Sequence, residues 1–406
     1  MMNKLNLKLH LLTLITLYIS VLQVTAQDQS SLVYAIDEAR NPILTAVPFI
    51  AIAPDSRATG MGDVGAATSP DVNSAYWNSG KLAFVDQAYG ASLSYSPWLK
   101  NIVPDMGITY ISGFYKIDKV QTVGASFRYF NLGVINLTDE LGNSLGIDKP
   151  SELYFDGTYS RKLSDRWGIG VSARYINSNL VGASGGQDKA ATSVAVDLGT
   201  YFVKPVTLGI TNAEYSFGAN ISNIGQKVSY GVRGSSDFIP TNLRVGNALK
   251  LQLDPYNSLT LAMDFNKLLV PTPPVYAQNE DGSFQEDNNG NRIIAKGKDP
   301  DRNLIAGMFG SFSDAPGGFS EELKEVTIST GAEYWYRQIF AARLGYVHEH
   351  DDKGGRRYAS LGFGVRYMTF GFDFSYLIPG DKNNPLADVL RFSLIWQLEE
   401  TDDTDR

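Results

Sequence analysis

The 406-residue chain has no cysteine, which excludes disulfide staples and thiol chemistry. It has only three histidines, and after the first residues no run of about 18 apolar residues long enough to cross a bilayer as a helix. A net charge of -8 excludes the basic footprint of a nucleic-acid binder. No nucleophile–base spacing stands out, so the chain is expected not to be an enzyme. What it has in plenty is glycine (39), tyrosine (22) and phenylalanine (20).

The opening "MMNKLNLKLHLLTLITLYISVLQVTAQ" sets Lys4 and Lys8 before an apolar run from Leu11 to Val21, then Val24-Thr25-Ala26. That is the order of a secretory signal peptide, residues 1–26. From Gly90 onward, segments of about ten residues alternate apolar and polar, the length and period of a tilted membrane strand. "VQTVGASFRYF" (120–130) is typical: Val123, Ala125, Phe127 and Tyr129 form one face, and Thr122, Gly124, Ser126 and Arg128 the other. Short connections at 118–119, 164–166, 254–257 and 368–369 alternate with long ones at 132–151, 179–190 and 223–240. Short periplasmic turns alternating with long outer loops describe an outer-membrane β-barrel.

Parity sets the strand number. Bacterial barrels have even counts, and treating 267–325 as one outer excursion gives about 14 antiparallel strands. "LIAGMFGSF" (304–312) is therefore assigned to that loop, with a helical turn at Ser320–Lys324. The expected organisation is a leader (1–26), an N-terminal segment and lumenal plug (27–88), an all-β barrel (89–398) and an acidic periplasmic tail (399–406).

Arg128, Arg174, Arg343, Arg366 and Arg391 fall on the inward phase, as do Asp156, Asp197, Glu214, Asp264, Glu333 and Asp373. A charge facing lipid costs about 2–4 kcal/mol at the midplane, whereas a lumenal one can be paired or solvated. These residues are expected to pair with one another and hold the wall.

Three other patterns have bland readings. "GMGDVG" (60–65) matches the dinucleotide fingerprint but lacks the surrounding strand and helix, so tight turns in the plug are expected. "HEHDD" gathers His348, His350, Asp351 and Asp352, and "NEDGSFQEDNNGN" (279–291) is acidic; both are expected to be solvated loops, with no metal and no cofactor. Val64, Val72 and Trp77 are expected in the plug core.

"APDSRATGMGDVGAATSPDVNSAYWNSGKLAF" (53–84) resembles the N-terminal signature of the PorV (LptO) family of type IX secretion, and "GSFSDAPGGFSEELKEV" (310–326) resembles its second block. That family is similar to the FadL-like barrels, in which an Asn-Pro-Ala element closes a hatch. Asn78, Ser79 and Gly80, after Trp77, occupy the matching positions without the proline or alanine. The resemblance implies an outer-membrane protein that binds the C-terminal signal domains of secreted cargo. It also implies association with the translocon barrel (SprA or Sov) and delivery to an attachment complex containing the PorU sortase. Outer-membrane lipids surround it, and nucleic acid is no partner. The long outer loops are the expected contact surface, above all Pro271–Asn303 and the block Ser313, Asp314, Ala315, Pro316, Gly317, Gly318 and Phe319. The alternative is a FadL-type transporter of hydrophobic small molecules.

Overall fold

The computed structural model describes residues 40–99, 103, 105–139, 141–180, 190–230, 236–380 and 389–398. The leader 1–26, the first part of the plug segment and the tail 399–406 lie outside these residues. All features below belong to the compact unit Asn41–Arg406.

Fourteen barrel strands follow one another: β1 (Tyr89–Pro97), β2 (Gly107–Lys116), β3 (Gln121–Asn131), β4 (Ser151–Ser164), β5 (Trp167–Asn179), β6 (Ala191–Leu208) and β7 (Thr211–Gly225). The second half comprises β8 (Asn242–Gln252), β9 (Asn257–Leu268), β10 (Thr327–Tyr336), β11 (Phe340–His348), β12 (Arg357–Tyr367), β13 (Phe370–Pro379) and β14 (Leu390–Leu398). Each pairs antiparallel with its neighbours in the chain, and β1 pairs with β14 to close the ring. A closed ring leaves no unpaired edge in lipid, which is the condition for spanning a bilayer with strands.

Alternation does the sorting. In β5, Ile169, Val171, Ala173 and Tyr175 are exposed on the outer face, while Ser172 and Arg174 are buried in the lumen. Short turns, among them Gly209-Ile210 and Met368-Thr369, join strands at one rim, and long connections lie at the other. A register shift on β6 between Val196 and Leu198 breaks the pairing with β7 but not the alternation, and Asp197 on the inward phase is fully buried, facing Arg174.

The core sits inside the ring, between wall and plug. The plug carries a 3₁₀ turn at Pro48–Ala51, helices α1 (Ser56–Gly60) and α2 (Ser74–Trp77), and a second 3₁₀ turn at Ser79–Phe84. Phe49, Ile50, Tyr76 and Trp77 of the plug form one cluster with Tyr110, Phe130, Tyr154 and Ile176 of the wall. The plug runs through the lumen from end to end. Asn41 bonds to Asp352, Pro273 and Glu321 of the long connections, whereas Ala88 bonds to Leu398 and Lys116 at the opposite rim.

The excursion between β9 and β10 contains two short helices, α3 (Leu304–Gly310) and α4 (Phe319–Lys324). Asn303 caps α3 by accepting from the Ala306 amide at 2.9 Å, so "LIAGMFGSF" starts a helix and adds no strand to the wall.

Candidate functional site: plug, lumen and outer mouth

The "GMGDVG" segment is a contact surface between plug and wall. Asp55 caps α1 by accepting from Ala58 N at 3.0 Å and also accepts from Trp77 Nε1 at 2.6 Å. After α1 the chain reverses through Gly62 (φ +72), in the left-handed region that glycine tolerates. The turn lies directly on the wall: a Cβ on Gly345 would fall 2.0 Å from Gly62 N, and one on its cross-strand partner Gly331 2.2 Å from Met61 O. Val64 packs with Met61 and Ala67 against the wall, and Val72 with Leu82 and Phe114; both are plug core, as expected.

Asn78, Ser79 and Gly80 form the lower hatch. Asn78 Nδ2 donates to Ala66 O and to Thr200 O of β6, both at 2.9 Å, and its Oδ1 accepts from Gly80 N at 3.0 Å. The side-chain amide thus ties plug to wall and caps the turn that follows. Proline and alanine are not needed for this geometry.

All of the inward charges except Glu214 fall into three groups. Arg174 bridges Asp156 (3.1 Å) and Asp197 (3.0 Å) and donates to Asn223. Arg343 bridges Glu333 (2.7 Å) and Asp373 (2.8 Å), and Arg366 adds a second bond to Asp373 at 2.7 Å. These two groups join neighbouring strands of the wall. The third group departs from the expectation, because its charges bind the plug instead of each other. Arg128 donates to Phe49 O at 2.8 Å and lies 5.2–5.5 Å from the rings of Tyr76, Tyr110 and Tyr154. Asp264 accepts from the amides of Gly65 (2.7 Å) and Ala66 (2.8 Å). Arg391 donates to Thr59 of α1. In the other direction, Arg57 of α1 joins the Arg343 group through Glu333 and also holds Asp71, both at 2.8 Å. The sequence reading did not single out Arg57; its signal was an arginine placed just after a helix-capping aspartate in an otherwise small-residue segment.

At the outer mouth α4 is latched down. Lys267 at the end of β9 binds Glu322 (3.0 Å) and Glu325 (2.5 Å), while Lys353 binds Glu321 (2.5 Å) and Glu325 (3.0 Å). Partial burial raises the Glu321 carboxyl, but the bond from Lys353 and its neighbours holds it below the usual carboxylate range. Thr272 Oγ1 also donates to Glu325, at 2.7 Å.

The expected contact block is exposed only in part. Ser313, Gly317, Gly318 and Phe319 are exposed, but Asp314 and Ala315 are buried. Asp314 accepts from Thr272 N, and Ala315 N donates to Glu322 Oε1 at 2.9 Å, so these two hold the loop's shape and are not presented to a partner. The apolar surface lies beside them. Phe309 is 73% and Phe319 76% exposed, with Ile305, Phe312 and Leu323 also exposed. Ile305 and Phe309, and Phe319 and Leu323, are i, i+4 pairs on α3 and α4, each one stripe of a helix.

His350 Nδ1 accepts from the Asp352 amide, Asp352 pairs with Lys324, and Asp351 pairs with Arg357. Asp281 and Asp287 close their own turns through Ser283 N, Asn289 N and Asn291 N. Among the described residues no group of three or more His, Asp or Glu could hold a metal ion.

The sequence profile of the family described as type IX secretion system protein PorV matches residues 35–275. The chain belongs to the PorV family. The plugged 14-strand ring and the family together place it in the outer membrane, as a component of type IX secretion. No curated protein sequence matches it. Among solved structures, the Ralstonia pickettii toluene transporter TbuX is 9% identical, covering 85% of this chain and 98% of that one at a TM-score of 0.42. A Pseudomonas aeruginosa FadL homologue is 11% identical, with coverage of 89% and 100% and a TM-score of 0.41. The Pseudomonas putida toluene transporter TodX is 10% identical, with coverage of 83% and 95% and a TM-score of 0.39. Likeness at this level carries no argument about what this chain transports or binds.

Proposed function

We propose that this PorV-family barrel works by binding and not by catalysis. It captures the C-terminal signal domain of cargo leaving the translocon barrel (SprA or Sov) and passes it to the surface attachment complex that holds the PorU sortase. The observation that carries the reading is the apolar surface of Phe309, Phe312 and Phe319 on a latched outer lid. Large exposed apolar patches on folded proteins mark partner surfaces, and aromatic anchors dominate such interfaces. The lumen below is filled by a plug held to the wall through main-chain and ion-pair contacts, an arrangement that suits a docking platform better than a conduit.

The test is capture of a purified cargo signal domain by the detergent-solubilised barrel. Phe309→Ser with Phe319→Ser is expected to weaken capture at least about tenfold, equivalent to ~1.4 kcal/mol, while heat-modifiable mobility of the barrel stays unchanged. Undiminished capture by the double variant would remove the proposed surface.

A further inference from the structure

Above the plug lies a cavity of about 110 Å³, lined by residues of the plug, of β5 and β7–β12, and by Glu325 just after α4. Its lining is mixed: Ile43, Ile50, Leu268 and Val347 share it with Asn223, Asn242, Asn266 and Ser222 and with four basic and three acidic side chains. Three of those four cations are matched within the protein. Arg174 has Asp156 and Asp197, Arg356 has Glu349, and Lys353 has Glu321 and Glu325.

The fourth is Arg244. Its Nε donates to Asn266 Oδ1 at 2.8 Å and its Nη1 to the Trp77 carbonyl at 3.2 Å, both neutral acceptors. The guanidinium lies over the Trp77 ring, 4.6 Å from its centroid. No carboxylate among the described residues comes within ion-pair distance of it; Asp264 on the adjacent strand acts on it only through space, with one oxygen bound to the Gly65 and Ala66 amides. A guanidinium has five N–H donors in a planar fork, and among the described residues Nη2 has no acceptor, in a cavity that also offers the Asn242 and Asn266 amides.

We propose that this chamber binds a short hydrophilic carboxylate, received by Arg244 in the two-pronged geometry that guanidinium and carboxylate share. The same carboxylate chemistry is offered by a free organic acid and by the C-terminus of an extended peptide. The inference does not depend on the cargo-binding reading.

Two variants separate the site from the fold. Arg244→Gln removes the receptor. Asn266→Asp places a carboxylate against the same guanidinium, so the site is filled from within while Arg244 and its stacking remain. The full-length barrel in detergent is titrated calorimetrically with succinate, triglycine, triglycine amide and octanoate. Binding of succinate or triglycine by the wild type, weakened at least tenfold in both variants, is expected. Triglycine binding with loss on amidation assigns the site to a peptide terminus, and binding of succinate alone assigns it to free acids. Octanoate binding more tightly than succinate would overturn the proposal, as would no binding of any probe or equal binding by Asn266→Asp.

Discussion

Arg57 in the plug and Glu333 in the wall, 276 positions apart in the chain, are joined by two hydrogen bonds of 2.8 and 3.0 Å in a buried setting. Glu333 also accepts from Arg343, so one carboxylate serves both the plug and the wall network.

Removing one partner of a buried ion pair leaves the other charge uncompensated, typically at a cost of about 3–5 kcal/mol. Glu333→Gln is expected to lose stability on that scale and to make the segment around Asp55–Asp71 accessible to protease. Urea unfolding in detergent with limited proteolysis reads both, and a variant as resistant as the wild type would contradict the role given to the pair.

The wall is bare where the plug touches it, so adding a methyl group there is informative. Gly345→Ala forces a Cβ to within 2.0 Å of Gly62 N, with main chain on both sides and no flexible side chain to give way. Overpacking of this kind costs about 1–3 kcal/mol. The expected outcome is a barrel that still folds but whose "GMGDVG" turn exchanges amide hydrogens faster. Gly157→Ala, where a Cβ meets nothing within 4 Å, serves as the control and is expected to be neutral.

Seating of the plug depends on pH in a defined direction. Burial, reinforced by Asp71, pushes Asp55 up from 3.8 to about 6, and burial brings Lys81 down from 10.5 to about 8. The seated plug therefore binds more protons than the released one from about pH 3.8 to about 6, and retention weakens as pH rises through that window. From about pH 8 to 10.5 the seated plug binds fewer protons, and retention strengthens as pH rises. It is weakest between the two windows, where both groups are charged, by about 3 kcal/mol per group at most. Protease sensitivity of the plug across pH 4–10 should show that maximum; a minimum near neutrality would refute the assignment.

The lid latch predicts a separable effect. Lys267→Met leaves Glu322 without its cation and Glu325 with only Lys353, so α4 should loosen while the wall stays paired. Hydrogen exchange is expected to rise in 319–325 and not in β10. Equal protection in the variant would mean that packing, and not charge, holds the lid.

How far the sequence could be read follows from the range of each interaction. Strand alternation is local, so the outward sets and the inward arginines were legible residue by residue, and loop parity supplied the number of strands. Partner choice is not local. Arg128 reaches Phe49 across 79 positions, and nothing in "GASFRYF" distinguishes a plug-binding arginine from a wall-binding one such as Arg174. The outer surface shows the opposite error. Asp314 and Ala315 stand in a Pro-Gly turn, whose composition signals exposure, yet Thr272 N and Glu322 draw them inward. Ile305 and Phe309 carried a usable signal in their helical spacing, which was obscured by assigning the segment to a loop on parity alone.

The course of the plug has a consequence for how the molecule is made. Asn41 is fastened at one rim and Ala88 at the other, with the ring closed around the chain between them. A finished ring could take up this segment only if the free front end of the polypeptide were threaded through it lengthwise. The strand that completes the ring, β14, is also the last in the chain, and the residues that grip α1, namely Glu333, Arg391 and Ser393, lie on late strands. Closing the seam between β1 and β14 last, as a clasp around a rod already laid, removes the need for that threading.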